Sequence, residues 1–172
     1  MITVNNVKIS VVFFSKTIVK NFLQMLKTNN FENVYQRKNI VIVKGVYTIT
    51  VFLKKCKYHV NVTKIQNPGE IPIVIQFLTK YYFPSNVFKL ISYKIDNMTA
   101  TLNLCKDIHL EEIASKNKSL FRFNPERFPA VYYKSNKLSG TVIIFSTGRI
   151  NILGCTSEEE LAEIWREISH LV

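Results

Sequence analysis

The side chains best suited to acid–base or metal chemistry are few and scattered in this chain. Histidine occurs only at His59, His109 and His170, none of them within a zinc-protease, phosphate-loop, dinucleotide-binding or serine-hydrolase motif. The three cysteines lie far apart and form no C-x-x-C pair, which argues against a zinc or disulfide framework and fits a reducing compartment. We therefore predict a protein that is not an enzyme and that needs no metal or other cofactor.

Lysine and arginine are the chemically active residues that stand out. The formal net charge is +11, and it is unevenly distributed. Residues 1–86 hold 12 basic and 2 acidic residues, whereas residues 87–172 hold 11 and 10. A one-sided basic excess favours a polyanionic partner such as nucleic acid. Two alternatives stay open, because charge also keeps proteins soluble and abundant Lys and Asn can reflect an AT-rich genome.

Composition limits the class of protein. An apolar content of 47% excludes disorder, and 172 residues suffice for one sizeable domain or two small fused repeats. No apolar run approaches the roughly 20 residues of a membrane-spanning helix. Met1–Phe14 is a poor signal peptide, because Asn5, Asn6 and Lys8 interrupt its apolar run.

The first half of the chain begins with a β-branched strand and an amphipathic helix. The predicted elements are a strand at Ile2–Phe14, a helix at Ser15–Thr28 with Ser15 as its N-cap, strands at Asn39–Lys44, Tyr47–Lys54 and Lys57–Lys64, and a final element at Ile71–Tyr82. Apolar residues are nearly continuous in that final element, so helix and strand both stay open. Pro72 is acceptable in the first turn of a helix.

The second half repeats this order. The predicted elements are a strand at Val87–Leu104, a helix at Leu110–Ser119, a three-strand meander at Ala130–Lys134, Thr141–Phe145 and Arg149–Leu153, and a helix at Ser157–Leu171. Ser157 followed by Glu160 predicts a capping box at the start of the last helix.

The two halves also share aligned residues. Three pairs recur at nearly constant separations of 91, 92 and 93 residues: Asn6 with Asn97, Phe31 with Phe123, and Phe52 with Phe145. Such a period predicts an internal duplication. A strand-first repeat with a meander and a helix suits a curved antiparallel sheet with its helices on one face.

The stretch from Phe123 to Cys155 is punctuated by aromatic, proline and glycine residues. The residues that define this motif are Phe123, Pro125-Glu126, Phe128-Pro129, Lys134, Phe145, Thr147-Gly148-Arg149 and Gly154-Cys155. This arrangement resembles the C-terminal repeat of the TATA-box-binding protein family. The resemblance is good over Tyr93–Val172 and faint over Met1–Tyr82. It implies an α+β saddle in which two pseudo-symmetric repeats, 1–86 and 87–172, form a curved antiparallel sheet with helices on its convex face.

The resemblance also implies that the concave face binds the minor groove of DNA. Phe128 and Phe145 match the family's apolar wedges, which unstack a base step and bend the duplex. Asn6 and Asn97 match asparagines that donate hydrogen bonds to adenine N3 and thymine O2. The alternative is that the two phenylalanines are ordinary core residues and the asparagines belong to strand edges or turns.

Several charged positions acquire roles in the same way. Lys134 and Arg149 match bases that contact phosphates, and Lys57 and Lys64 are further candidates, although solvated surface charges are an equal alternative. Glu126 matches a position that contacts the general factor that recruits the polymerase.

The chain departs from the family on the implied groove face. Asn151 and Leu153 stand where the family has a small apolar residue and a threonine, and Lys8 and Thr99 stand where it has valines. We expect Thr99 and Asn151 to contact DNA with an altered groove preference.

The first repeat is eroded. Phe52 is retained, but its wedge partner would fall at Tyr35 or Gln36. We therefore expect this half to bind DNA mainly by charge.

The resulting hypothesis is a general transcription initiation factor that binds and bends AT-rich promoter DNA and recruits transcription factors and the RNA polymerase machinery. The eroded repeat and the Lys, Asn and Ile bias suggest a large DNA virus or a reduced eukaryote. The expected location is therefore the nucleus or a cytoplasmic viral factory. The alternative is a degenerate protein-interaction module in a transcription complex, with weak or no sequence-specific DNA binding.

Overall fold

The chain folds into antiparallel β-strands and a few helices. The computed structural model describes residues 2–16, 22–28, 33–116, 118–135 and 137–172. The strands are β1 (Thr3–Ser15), β2 (Val34–Arg37), β3 (Ile40–Lys44), β4 (Thr48–Lys54), β5 (Lys57–Ile65), β6 (Phe88–Asn103), β7 (Phe121–Asn124), β8 (Phe128–Lys134), β9 (Thr141–Phe145) and β10 (Arg149–Cys155). The helices are α1 (Phe22–Thr28), α2 (Ile71–Tyr81, preceded by one 3-10 turn at Pro68–Glu70), α3 (Leu110–Lys116) and α4 (Glu158–Ser169).

Contacts between residues divide the chain into two compact units. The N-terminal unit is Asn6–Ile95, and the C-terminal unit joins Met1–Asn5 to Asp96–Val172. Strands run in the order β2-β3-β4-β5-β1 in the first unit and β6-β10-β9-β8-β7 in the second. The predicted α+β class with antiparallel strands is confirmed. The predicted repeats, 1–86 and 87–172, stay a prediction, because compactness does not test duplication.

Alternating burial along the strands builds the core of the N-terminal unit. Alternate β1 residues from Val7 to Phe13 are fully buried, and the ring of Phe13 stacks on Phe83 with centroids 4.1 Å apart. Phe22 of α1 contacts both Tyr58 and Phe83. The helices therefore cover one face of this sheet, and every second side chain points away from them.

The ambiguous segment after Pro68 is a helix. Ile71, Val74 and Leu78 are buried at helical spacing, whereas Ile73 is 60% exposed. Only one face of this helix is buried, although nearly all of its residues are apolar. The apolar periodicity of the sequence could not show which face that would be. Pro72 lies in the first turn, as the sequence predicted.

The C-terminal unit is built in the same way. Helix α4 packs on β10, which pairs with β9, and the buried residues of these elements form the core; they are Val142, Ile144, Ile150 and Ile152 in the strands and Leu161, Ile164 and Ile168 in the helix. Beside them, Tyr133 of β8 donates a hydrogen bond of 2.7 Å from its hydroxyl to the Glu167 carboxylate. Burial and this carboxylate raise the pKa of Tyr133 to about 12, so the hydroxyl keeps its proton and fixes β8 to α4.

The predicted meanders each lacked one strand. β2 pairs with β3, and β7 pairs with β8, so each unit has four consecutive strands after its first helix. Both missed strands have only four residues, too few for an alternating pattern to be recognised.

Ser15 ends the first strand, and its predicted role as an N-cap stays a prediction, because residues 17–21 lie outside the described part of the chain. Ser15 is buried and donates its backbone N–H to the Cys56 carbonyl. Pairing with β5 extends the strand one residue beyond its predicted end at Phe14. Phe31, used above to align the repeats, lies outside the described residues.

The cap of α4 is confirmed and reaches further than predicted. The Ser157 hydroxyl accepts a hydrogen bond from the Glu160 backbone N–H. The Glu160 carboxylate accepts from the backbone N–H groups of Thr156 and Ser139 at 2.8 Å each. One charged group therefore joins the loop before β9 to the start of α4.

Gly148 shapes the turn between β9 and β10. Its φ is +78°, and a Cβ added there would collide with the backbone oxygen of Lys106. Its N–H donates to the Phe145 carbonyl, and its carbonyl accepts from Leu104. Only glycine fits this backbone without strain, so Gly148 sets where Phe145 ends one strand and Arg149 begins the next.

We expect the Glu160→Gln variant to lose about 1–2 kcal/mol of unfolding free energy at pH 7, because charged acceptors make stronger hydrogen bonds. Burial raises the pKa of Glu160, but hydrogen bonds from Ser139 and Thr156 outweigh it and lower the pKa to about 2. The folded-state pKa lies below the unfolded one, so this stabilisation is present above about pH 5 and disappears as pH falls towards 2. Urea unfolding at pH 7 and pH 3 measures this, with Glu163→Gln as the control for helix charge. If the difference in unfolding free energy between the wild type and Glu160→Gln is the same at pH 3 as at pH 7, this explanation is wrong.

The Gly148→Ala variant should lose about 1–3 kcal/mol of unfolding free energy, because alanine resists a positive φ and its methyl group meets the Lys106 backbone. Gly45→Ala is the matched control, since the nearest atom to an added Cβ lies at 3.9 Å. Equal stability of the two variants in urea titrations would refute the strain argument.

Candidate nucleic-acid interface

The C-terminal unit has one sheet face that its helices leave uncovered. Side chains on this open face alternate with the buried residues of each strand; they are Asn97, Thr99 and Thr101 of β6, Phe128, Ala130, Tyr132 and Lys134 of β8, Thr141, Ile143 and Phe145 of β9, and Arg149, Asn151 and Leu153 of β10. Seven of the ten predicted DNA-binding residues therefore occupy one surface.

Phe128 and Phe145 are neighbours on the open face. Ala130 lies directly opposite Phe145 in the sheet, which leaves room for Phe128 two residues earlier. The two ring centroids are 6.0 Å apart with an interplanar angle of 62°, and Phe128 remains 36% exposed. The alternative that both rings belong to the core beneath the helices is wrong.

Tyr132 is a third aromatic residue of this group that the sequence reading missed. Its ring lies 5.4 Å from that of Phe128, and it is 36% exposed. The signal was available, because Phe128, Ala130, Tyr132 and Lys134 alternate along one strand. Arg122 of β7 stands opposite Tyr132 and adds a basic group beside the aromatic rings.

The polar candidates line the other side of the open face. Thr99 stands opposite Leu153, and Thr101 stands opposite Asn151, where β6 pairs with β10. Asn97 precedes the buried Met98 and so points to the open side. Asn151 is half-buried, so neighbouring side chains restrict its amide group.

Basic and acidic candidates lie at the ends of the strands. Lys134 and Arg149 are exposed where β8 ends and β10 begins. Glu126 is exposed in the turn between β7 and β8, where the Arg127 N–H donates to the Asn124 carbonyl. These exposed positions suit contacts with a charged partner.

The N-terminal unit has its own open face. Phe52 is half-buried there, opposite Ile40 on one side and His59 on the other. Asn6 is exposed and precedes the buried Val7, so alternation places it on this face too.

The wedge partner predicted for Phe52 was wrong. Ile40 stands opposite Phe52 as Ala130 stands opposite Phe145, so the position that corresponds to Phe128 is Lys38. Lys38 is exposed in a turn with φ +51°. Tyr35 instead stands opposite Ile42, 54% exposed, with the Lys44 ammonium 5.4 Å from its ring centroid. The error arose because the short strand β2 was not recognised, so the register was counted from the wrong residue.

Lysines surround this second face. Lys57 is exposed at the start of β5, opposite Lys54, and Lys55 occupies the turn between them with φ +44°. Lys64 is exposed with φ +69°, beside the irregularity where β5 pairs with β1. The N-terminal unit therefore offers the rings of Phe52 and Tyr35 together with several ammonium groups.

Within the described residues no group of three or more His, Cys, Asp or Glu side chains is placed to hold a metal ion. Among the described helices, none has the length and apolar character needed to cross a membrane.

The sequence comparisons match the C-terminal half. Residues 92–172 match the family described as transcription factor TFIID, or TATA-binding protein. The TATA-box-binding protein of Pyrobaculum aerophilum is 32% identical over 81 residues, which are 47% of this chain and 40% of that protein. The TBP-related factor of Drosophila melanogaster is 28% identical over 97 residues, which are 56% of this chain and 42% of that protein. The matched regions thus span about two fifths of the length of these relatives.

The structural comparison extends the match to the whole fold. The solved structure of Methanococcus jannaschii TBP matches 99% of this chain and 97% of its own, with a TM-score of 0.79 and 24% identity. This confirms the predicted fold class for both halves, including the residues before 92 that the family model leaves unmatched. The C-terminal half of this chain is therefore similar in sequence to the TATA-binding protein family, and the chain as a whole is similar to that family in fold.

Proposed function

We propose that this protein is a transcription initiation factor that binds and bends promoter DNA through the minor groove. Phe128 and Phe145 enter a base step as wedges, and the open faces follow the groove floor. The family match over residues 92–172 and the shared fold support this role in transcription. The observation that carries the proposal is the pair of adjacent aromatic rings on the face that the helices leave uncovered.

Exposed aromatic rings need a partner that covers them. Removing large apolar side chains from water lowers the free energy of the system, so a folded chain usually buries them. Phe128 and Tyr132 remain 36% exposed, with Phe145 beside them. Stacked bases present flat apolar surfaces at a step that has been opened, and aromatic side chains bind such surfaces without reading their sequence.

The polar residues supply orientation and charge in this proposal. Asn6 and Asn97 donate to acceptors on the groove floor, and Thr99 contacts the same floor. Lys134 and Arg149 neutralise phosphates beside the wedges, and contacts of this kind position a protein on the duplex.

The N-terminal unit contributes more charge in this proposal. Phe52 contacts the groove, but Lys38 replaces its aromatic partner. Lys57 and its neighbours in the β4–β5 hairpin bind phosphates. We therefore assign the sharper bend to the step that Phe128 and Phe145 enter.

Partners and location follow from the same proposal. AT-rich promoter DNA is the nucleic-acid partner, and Glu126 lies in an exposed turn that contacts a general transcription factor linked to RNA polymerase. The relatives reported above are archaeal and animal proteins, so they do not support the viral factory suggested by composition. The nucleus is the location that the proposal keeps.

Replacing either wedge should weaken binding. We expect Phe128→Ala and Phe145→Ala each to reduce affinity for an AT-rich duplex by about 10- to 100-fold and to reduce the bend angle, because each removes a stacking surface. Fluorescence anisotropy measures affinity, and energy transfer between end-labelled DNA measures bending. Tyr81→Ala is the control, because Tyr81 is an exposed aromatic on helix α2.

Weak wild-type binding that does not distinguish AT-rich from GC-rich duplexes would reject this function. That result would favour the protein-interaction module instead.

Phosphate contacts predict a change in salt dependence. The double variant Lys134→Gln/Arg149→Gln should lower the slope of log affinity against log salt concentration by about 2, because each lost phosphate contact releases about one counterion fewer. Arg166→Gln is the matched control, since Arg166 is exposed on α4. If both proteins keep the wild-type slope, these two residues do not contact phosphates.

A further inference from the structure

A chain of three hydrogen-bonded polar side chains reaches the open face of the C-terminal unit. The Asn5 amide nitrogen donates to the Thr101 hydroxyl at 2.7 Å, and that hydroxyl donates to the Asn151 side-chain oxygen at 3.3 Å. Asn5 lies at the start of β1, Thr101 on β6 and Asn151 on β10, and all three belong to this unit.

This polar chain ends among apolar side chains. Asn151 stands opposite Ile143 of β9, and Leu153 follows it on the same face of β10. All three are half-buried. A polar group in such surroundings loses much of its water when a partner covers the face, so its remaining hydrogen bonds must come from that partner.

The chain fixes which end of the Asn151 amide faces outward. The Thr101 oxygen accepts from Asn5, and its single proton is directed at the Asn151 oxygen. The amide nitrogen of Asn151 is then the end left for a partner. Among the residues that the structure describes, none accepts a hydrogen bond from it.

Donor groups discriminate between base pairs in the minor groove. Adenine N3 and thymine O2 are acceptors, whereas a G·C pair adds the guanine N2 amino donor. An amide nitrogen held outward pairs with an acceptor but meets a guanine amino group donor to donor. The unsatisfied groups then oppose binding.

We infer that Asn151, oriented by Thr101 and Asn5, is a specificity-determining residue that excludes G·C from the base pair it covers. This inference rests on the proposed binding to the minor groove. It concerns a position where the chain departs from the family pattern, and it gives that departure a function.

The test uses a duplex scan. In an AT-rich duplex of about 20 base pairs, each pair is replaced in turn by G·C or by I·C, because inosine pairs like guanine but lacks the N2 amino group. At the position that Asn151 covers, wild-type protein should lose about tenfold in affinity with G·C and less than twofold with I·C. A wild-type scan that shows no such position overturns the inference.

Two variants separate the amide's orientation from its mere presence. Thr101→Val keeps the shape of the side chain but releases the Asn151 oxygen, so the amide can turn and accept from guanine. The G·C penalty, measured relative to A·T binding by the same variant, should fall to about threefold. Asn151→Asp has no donor and should reduce A·T binding more than G·C binding. Thr79→Val is the control, because Thr79 lies on α2 and bonds to the Ile75 carbonyl.

The possible failures are distinguishable. If both variants bind the AT-rich duplex with the wild-type G·C penalty at every position, the inference about Asn151 is wrong and the proposed function stands. If wild-type protein binds no duplex in any arm, the proposed function fails and the inference fails with it. Circular dichroism of each variant shows that its fold is intact.

Discussion

Helices in each unit bury every second side chain of the strands beneath them, and this alternation dictates what remains on the opposite face. In β8 and β9, Val131, Tyr133, Val142 and Ile144 are buried, so Phe128, Tyr132 and Phe145 have no place beneath the helices. A one-residue slip in register would exchange the two sets, and the core would lose its apolar contacts. The packing of the core therefore fixes the position of the aromatic group on the opposite face.

The same architecture supports different surfaces in the two units. Ala130, opposite Phe145, is small enough to leave space for the ring of Phe128 two residues earlier. Ile40, opposite Phe52, is instead preceded by Lys38, which lies in a turn. The buried sides of both units remain apolar. The two units thus differ at their open faces, where a substitution costs little stability, while both cores are apolar, as cores must be because a substitution there costs much.

Polar residues on an apolar face are informative because they must be satisfied twice, once in the free protein and again when the face is covered. Thr101 and Asn5 satisfy one end of Asn151 and leave the other directed outward. The aromatic rings supply contact area that does not depend on sequence. An oriented amide supplies directional selectivity that apolar contact cannot provide.

The sequence by itself determined the order of most elements and the residues of the main aromatic pair. Ser157 as a cap, Pro72 in a first turn and Gly148 in a hairpin are local preferences that tertiary packing did not oppose. Tertiary structure alone decided matters of register and partnership. It extended β1 through Ser15, added β2 and β7, and set Lys38 rather than Tyr35 or Gln36 at the position corresponding to Phe128. The contacts of Asn5 with Thr101, 96 residues away, follow no local rule, because side chains distant in sequence meet only when paired strands bring them together.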